Sequence, residues 1–115
     1  MIVMTLAMVL QPVAGATPYD VRVPNAIVGL HNQYVRCQDQ NFDIHHVQSV
    51  QSFQAEVEHA IAACASQKAT LKQQADTVLA ASSEYADATV RERAVNEAFD
   101  GYDRTRRLMA RGGSR

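Results

Sequence analysis

From Leu30 to Asp100 the chain runs 71 residues without a glycine or a proline. Ala, Gln and Glu are abundant in that stretch, and no part of it alternates apolar and polar residues for the length of a strand. Removing the two strongest helix breakers while enriching good helix formers leaves one regular structure open to the chain, the α-helix. The expected fold is therefore all-α.

A helical repeat is visible as well. With Val50 taken as the first a position, the a and d positions of successive heptads run to Phe99 and Tyr102, and 13 of the 16 are apolar. Gln67, Gln74 and Glu92 are the exceptions. Such a stripe implies a coiled-coil-like seam. One helix from Phe42 to Leu108 would be about 100 Å long, so turns must hide in polar clusters. Four are available: Asp39–Asn41, Gln48–Ser52, Ser66–Lys68 and Ser82–Glu84. Asp43, Ser52 and Ser83 are suited to capping. The spacing predicts three helices, at 25–47, 52–81 and 84–109, with the first two as an antiparallel hairpin. The third packs back on them or exchanges into a second chain.

The N-terminus reads differently. Residues 1–16 carry no charge, Ile2–Leu10 is apolar apart from Thr5, Pro12 breaks the run, and Ala14-Gly15-Ala16 places small residues at a cleavage site. These are the marks of a secretory signal peptide, and the run is shorter than the roughly 20 residues a membrane span needs. The expected organisation is a signal segment at 1–16, an extended arm at 17–24 held out of helix by Pro18 and Pro24, a helical domain at 25–110, and a disordered basic tail at 111–115. The expected location is periplasmic or secreted, in a bacterium.

After cleavage at Ala16 the remaining 99 residues hold 42 apolar ones, of which 15 are Ala. Large core-forming side chains are thus scarce, and a chain of this size is marginal without a brace. Cys37 and Cys64 supply one. They are the only cysteines, export brings them to an oxidising compartment, and a disulfide is expected. If they face each other across a hairpin, the turn centres near residue 50.5, inside the Gln48–Ser52 cluster. The closed loop contributes about 3 kcal/mol in the chain-entropy model.

Charge is divided along the chain. Thr17–Asp100 carries 6 Lys and Arg against 11 Asp and Glu, whereas Gly101–Arg115 carries 5 Arg against one Asp. The total of −1 excludes a strongly basic nucleic-acid binder, and no nucleic-acid partner is expected. Arg104, Arg107 and Arg111 fall on one face of a continuing helix, a strip able to meet an anionic membrane surface, or simply to complement the helix dipole.

Two further groups bear on chemistry. The hairpin register brings His45 opposite Glu56 and His59 near Phe42 and Asp43. His45, His46, Glu56 and His59 therefore form a candidate metal or small-ligand site at one end of the hairpin. Glu56 and His59 also make one Glu-x-x-His pair, where a di-iron bundle needs two. Nucleophile elbows, zincin motifs and glycine-rich phosphate loops are all missing from the sequence, so no enzyme activity and no cofactor is expected. The segments Tyr34–Cys37 and Ala62–Cys64 resemble those of small exported bacterial helical proteins, a likeness that implies no activity. The reading is an exported helical protein acting by contact, with a protein partner or a homodimer. The alternative is the metal- or ligand-binding module.

Overall fold

The computed structural model describes residues 20–112, and within them every regular element is helical. There are four α-helices: α1 (Val28–Gln40), α2 (Val50–Ala63), α3 (Ala65–Ala80) and α4 (Ala88–Ala110). Short 3-10 turns at Asn25–Ile27, Ile44–His46 and Ser83–Tyr85 precede α1, lie between α1 and α2, and precede α4. The signal segment expected at 1–16, the beginning of the arm and residues 113–115 lie outside the described residues.

The expected first helix, 25–47, stops at Gln40 instead. Asn41 explains the stop: its side-chain amide donates to the Cys37 carbonyl at 2.9 Å, beside its own backbone N–H at 3.2 Å. A short polar side chain that bonds the preceding turn offers the backbone an alternative to another helical residue. Asp43 then takes an extended conformation and caps the Ile44–His46 turn through the His45 N–H. Helix α2 opens with a reciprocal box in which Ser49 and Ser52 each accept from the other's backbone N–H, satisfying two N-terminal donors.

The expected second helix, 52–81, is two helices. Cys64 interrupts it with φ −101° and ψ 7°, although hydrogen bonds continue on both sides, from Cys64 N–H to the Ala60 carbonyl and from Lys68 N–H to the Cys64 carbonyl. The interruption falls on the half-cystine, where α2–α3 is tied to α1. The expected third helix, 84–109, begins at Ala88, because Ser82 caps a separate 3-10 turn and Asp87 caps α4 through the N–H groups of Thr89 and Val90.

The topology follows from the cross-helix pairs. Glu58 meets Arg107, Lys68 meets Asp103, Lys72 meets Asp100 and Asp76 meets Arg91. The numbers fall on one side as they rise on the other, so the α2–α3 arm runs antiparallel to α4 along its whole length. Helix α1 pairs Tyr34 and Gln38 with Asp103 and Asp39 with Arg106, and is therefore parallel to α4. The bundle keeps three rods, with the middle one broken at Cys64.

The core comprises Ile27, Tyr34, Cys64, Leu71, Ala75, Leu79, Val95, Ala98 and Phe99, all buried. This set coincides with the heptad seam read from the sequence only in part, at Cys64, Leu71, Val95 and Phe99. At the seam positions Gln67, Gln74, Ala81, Ala88 and Glu92 are exposed, as are Val50 and Val78. In α3 burial follows Leu71, Ala75 and Leu79, a spacing of four. The seam positions Val57, Ala60, Cys64 and Leu71 are buried across the break at Cys64, and Val95 and Phe99 are buried in α4; the seam is lost in the second half of α3, where the step of four moves burial off the strict seven-residue repeat.

Candidate functional site

Cys37 and Cys64 are disulfide-bonded, with their Cα atoms 6.0 Å apart. The bond fastens α1 to the break between α2 and α3. Around it lies a polar cluster that sequence patterning did not single out. Asp103 of α4 is only 3% exposed. One oxygen of its carboxylate accepts from the Tyr34 hydroxyl at 2.6 Å and from the Gln38 side-chain amide at 2.7 Å. The other accepts from the Lys68 ammonium at 2.8 Å. Tyr34 and Gln38 flank Cys37 on α1, and Lys68 stands one turn after Cys64. The disulfide and the carboxylate thus join three rods at one level.

The electrostatics fit that role. Burial, reinforced by the Asp103 carboxylate, pushes the Tyr34 hydroxyl far above its ordinary pKa, so it remains a donor. Burial alone would lower the Lys68 pKa, but hydrogen bonds and charge from Asp100 and Asp103 outweigh it and the net shift is upward. Asp100 shifts down for the complementary reason: Lys68 and Lys72 overcome its desolvation. Tyr34, Gln38, Lys68 and Asp100 direct their polar groups at one another and at Asp103 across the rods. The cluster is structural.

The basic segment contacts the acidic body. Arg107 grips Glu58 through two nitrogens, at 2.6 and 3.0 Å. Arg106 reaches Asp39 at 3.3 Å and lies over the rings of Phe42 and Tyr102. Arg104 pairs with Glu97 at 3.1 Å. Of the strip expected to face an anionic surface, Arg104 and Arg107 are therefore committed within the fold. Arg111 is exposed at the end of α4, beside a groove of about 280 Å³ floored by Val57 and Ala110.

The histidine end gathers only in part. Glu56 accepts from the Asp43 backbone N–H at 3.0 Å, and its other oxygen stands 3.3 Å from His46 Nδ1. His46 Nε2 lies 3.5 Å from Asp43. The Asp43 backbone bond is the main cause of a lowered Glu56 pKa, which His46 and His59 reinforce. His45 and His59 are exposed. Among the described residues no group of three or more His, Cys, Asp or Glu is arranged to hold a metal ion. His46 and Glu56 meet beside Asp43, each acid also taking a backbone N–H on its other oxygen, whereas His45 and His59 stay exposed outside that contact. Glu56 fastens the 41–49 loop to α2.

A third feature lies at the opposite end, where the arm meets α4. Val23, Tyr85 and Ala94 pack against the core from outside. With Arg22, Pro24, Val90, Arg93 and Glu97 they line an open groove of about 650 Å³. Arg91 sets its wall: Nη1 donates to the carbonyls of Tyr85 and Ala86 at 3.0 and 3.2 Å, and Nε donates to Asp76 at 2.7 Å. That clamp fixes the turn carrying Tyr85. In the sequence Arg22 and Arg93 look like scattered surface charges, and only the docking of the arm brings them to one groove.

No protein-family model, no curated protein and no solved structure matches this chain.

Proposed function

We propose that this is a small exported helical protein that works by contact with another macromolecule, with the groove between the 20–24 arm and α4 as its contact site. The observation that carries this reading is the contrast in how α4 uses its arginines. Arg91, Arg104, Arg106 and Arg107 are each tied to a carboxylate within the fold. Arg93 makes no ion pair among the described residues, and it lines a groove whose apolar floor is continuous with the core. Val90, at 42% exposure, adds apolar surface there. A rigid apolar floor beside unspent polar groups is the usual anatomy of a recognition site.

Export is supported by the uncharged, apolar N-terminal run with its small-residue site, and by the disulfide, which belongs in an oxidising compartment. No helix among the described residues is long and apolar enough to cross a membrane. The residues assigned here bind and position, and no catalytic step is assigned to them.

Site-directed photocrosslinking in the exporting cell tests the reading. A photoreactive residue at Val90 is expected to give one discrete adduct, and the same group at exposed Gln73 none. The mature mass should begin at Thr17 and show one disulfide. A reduced, uncleaved chain, or adducts that do not depend on position, would overturn the proposal.

A further inference from the structure

The chemistry of the groove narrows the partner. Resting on the contact reading above, we infer that the groove binds a peptide segment of a partner protein that presents carboxylates beside apolar side chains. Two observations lead there. First, Arg22 on the arm and Arg93 on α4 line the same groove, and neither pairs with a carboxylate among the described residues. Arg93 has an acid one turn away, Glu97, but Glu97 is taken by Arg104 at 3.1 Å. Both guanidiniums are therefore available to an incoming anion, and their planar fork matches a carboxylate. Second, the floor between them is Val23, Pro24, Tyr85 and Ala94, with Val90 exposed at its side.

Charge complementarity selects the occupant. The groove presents two arginines that pair with no carboxylate among the described residues and one acid already paired with Arg104, on a body that is otherwise acidic. A basic or neutral segment would leave both guanidiniums desolvated without partners, at a cost. The groove is open and runs along the surface, which suits an extended segment with alternating contacts. A second copy of this chain, or an anionic membrane, would have to satisfy the same two arginines, and the test below separates both from a peptide.

The experiment is a selection of random linear peptides on the full, oxidised mature chain, with affinities of the enriched peptides measured on Arg22→Ala, Arg93→Ala and the double variant. Neither arginine holds a carboxylate among the described residues, and Ala is the better helix former at position 93, so unfolding midpoints should be unchanged and confirm that the variants fold. The expected result is enrichment of Asp or Glu next to Leu, Ile, Val or Phe. Each single variant should weaken binding about tenfold to a hundredfold, the range for hydrogen bonds to charged groups. Replacing the peptide's acids by their amides should have the same effect.

Four results would overturn the inference. The first is the recovery of peptides without acids, and the second is affinity indifferent to both variants. The third is a failure to enrich any peptide. The fourth is Arg93-dependent sedimentation with phosphatidylglycerol vesicles, or Arg93-dependent dimerisation in native mass spectrometry, in place of peptide binding. If these occur while the Val90 crosslink persists, the contact site stands and only the proposed partner chemistry fails.

Discussion

Replacing Asp103 by Ala tests the account of how the bundle is held. Three donors lose their acceptor: the Tyr34 hydroxyl, the Gln38 amide and the Lys68 ammonium. Lys68 retains Asp100 at 2.6 Å, so its charge stays paired. Tyr34 and Gln38 are fully buried and have no access to water. Each orphaned buried donor costs about 1–3 kcal/mol. The pair of them, with the loss of one buried charge contact, gives about 3–5 kcal/mol. For a domain whose whole stability is of order 5–15 kcal/mol, that is a large fraction. Asp100→Ala is the control. Its carboxylate touches the same ammonium but is half exposed, so its loss should cost less than about 1 kcal/mol. Urea unfolding of the oxidised chain at pH 7 should show the midpoint for Asp103→Ala falling by about 2–3 M at a slope near 1.5 kcal/mol per M, with Asp100→Ala within about 0.7 M of the parent. Equal losses at the two positions would refute the reasoning, because the whole difference between them is burial. So would an Asp103→Ala midpoint indistinguishable from the parent.

Other perturbations probe the remaining supports. Reducing the disulfide, or replacing both cysteines by Ser, should cost about 3.5 kcal/mol, from the chain-entropy model for a sequence separation of 27; unfolding with and without dithiothreitol measures it. Ser49→Ala removes half of the reciprocal cap on α2 and should cost about 1 kcal/mol by the same assay. His31 has its pKa lowered by burial, against an opposing backbone hydrogen bond at Ala98. Its neutral form is thus favoured in the fold, and its contribution, complete above the unfolded value of 6.5, is lost as pH falls from there through the folded value. Unfolding followed between pH 7.5 and 5 should show that slope, and His31→Phe should flatten it. Glu56, Glu58 and Asp100, all lowered, act in a more acidic window. Their contribution is complete above about pH 4.5 and is lost as pH falls below it through the folded values, which an acid titration of the His31→Phe chain isolates.

The features legible in the sequence are those set locally or by one register. The absence of breakers from Leu30 to Asp100 and the abundance of Ala, Gln and Glu point to helix, and every regular element among the described residues is helical. The pairing of Cys37 with Cys64 follows from there being two cysteines, but its register puts the turn near residue 50.5, whereas Val50 already opens α2 and the loop joining the first two rods spans 41–49, because α1 stops early, at Asn41. The break at Cys64 was not legible, because neither proline nor glycine marks it and backbone hydrogen bonds continue past it. The heptad count departs from the structure within α3, where burial passes from Leu71 to Ala75 and Leu79 and leaves Gln74 and Val78 exposed: a helix buried on a step of four does not keep a strict seven-residue seam.

Asp103 shows the other limit of reading one helix at a time. A carboxylate beside Tyr102 on an Arg-rich segment looks solvated when only composition and charge are weighed. Yet it lies four residues beyond Phe99 and eight beyond Val95, on the same row of α4. A polar residue at the end of an otherwise apolar row is the available signal that donors face it from elsewhere. Two of those donors, Tyr34 and Gln38, lie more than 60 residues away along the chain, on a rod parallel to α4. Which residues oppose an acid across a third helix is a property of packing, and no local pattern encodes it. The same holds for the groove, whose two arginines stand 71 positions apart in the chain and come to one site only when the 20–24 arm docks against α4. In a small Ala-rich bundle the polar groups that join the rods, and those left over for a partner, are therefore told apart by which carboxylates the third rod brings within reach.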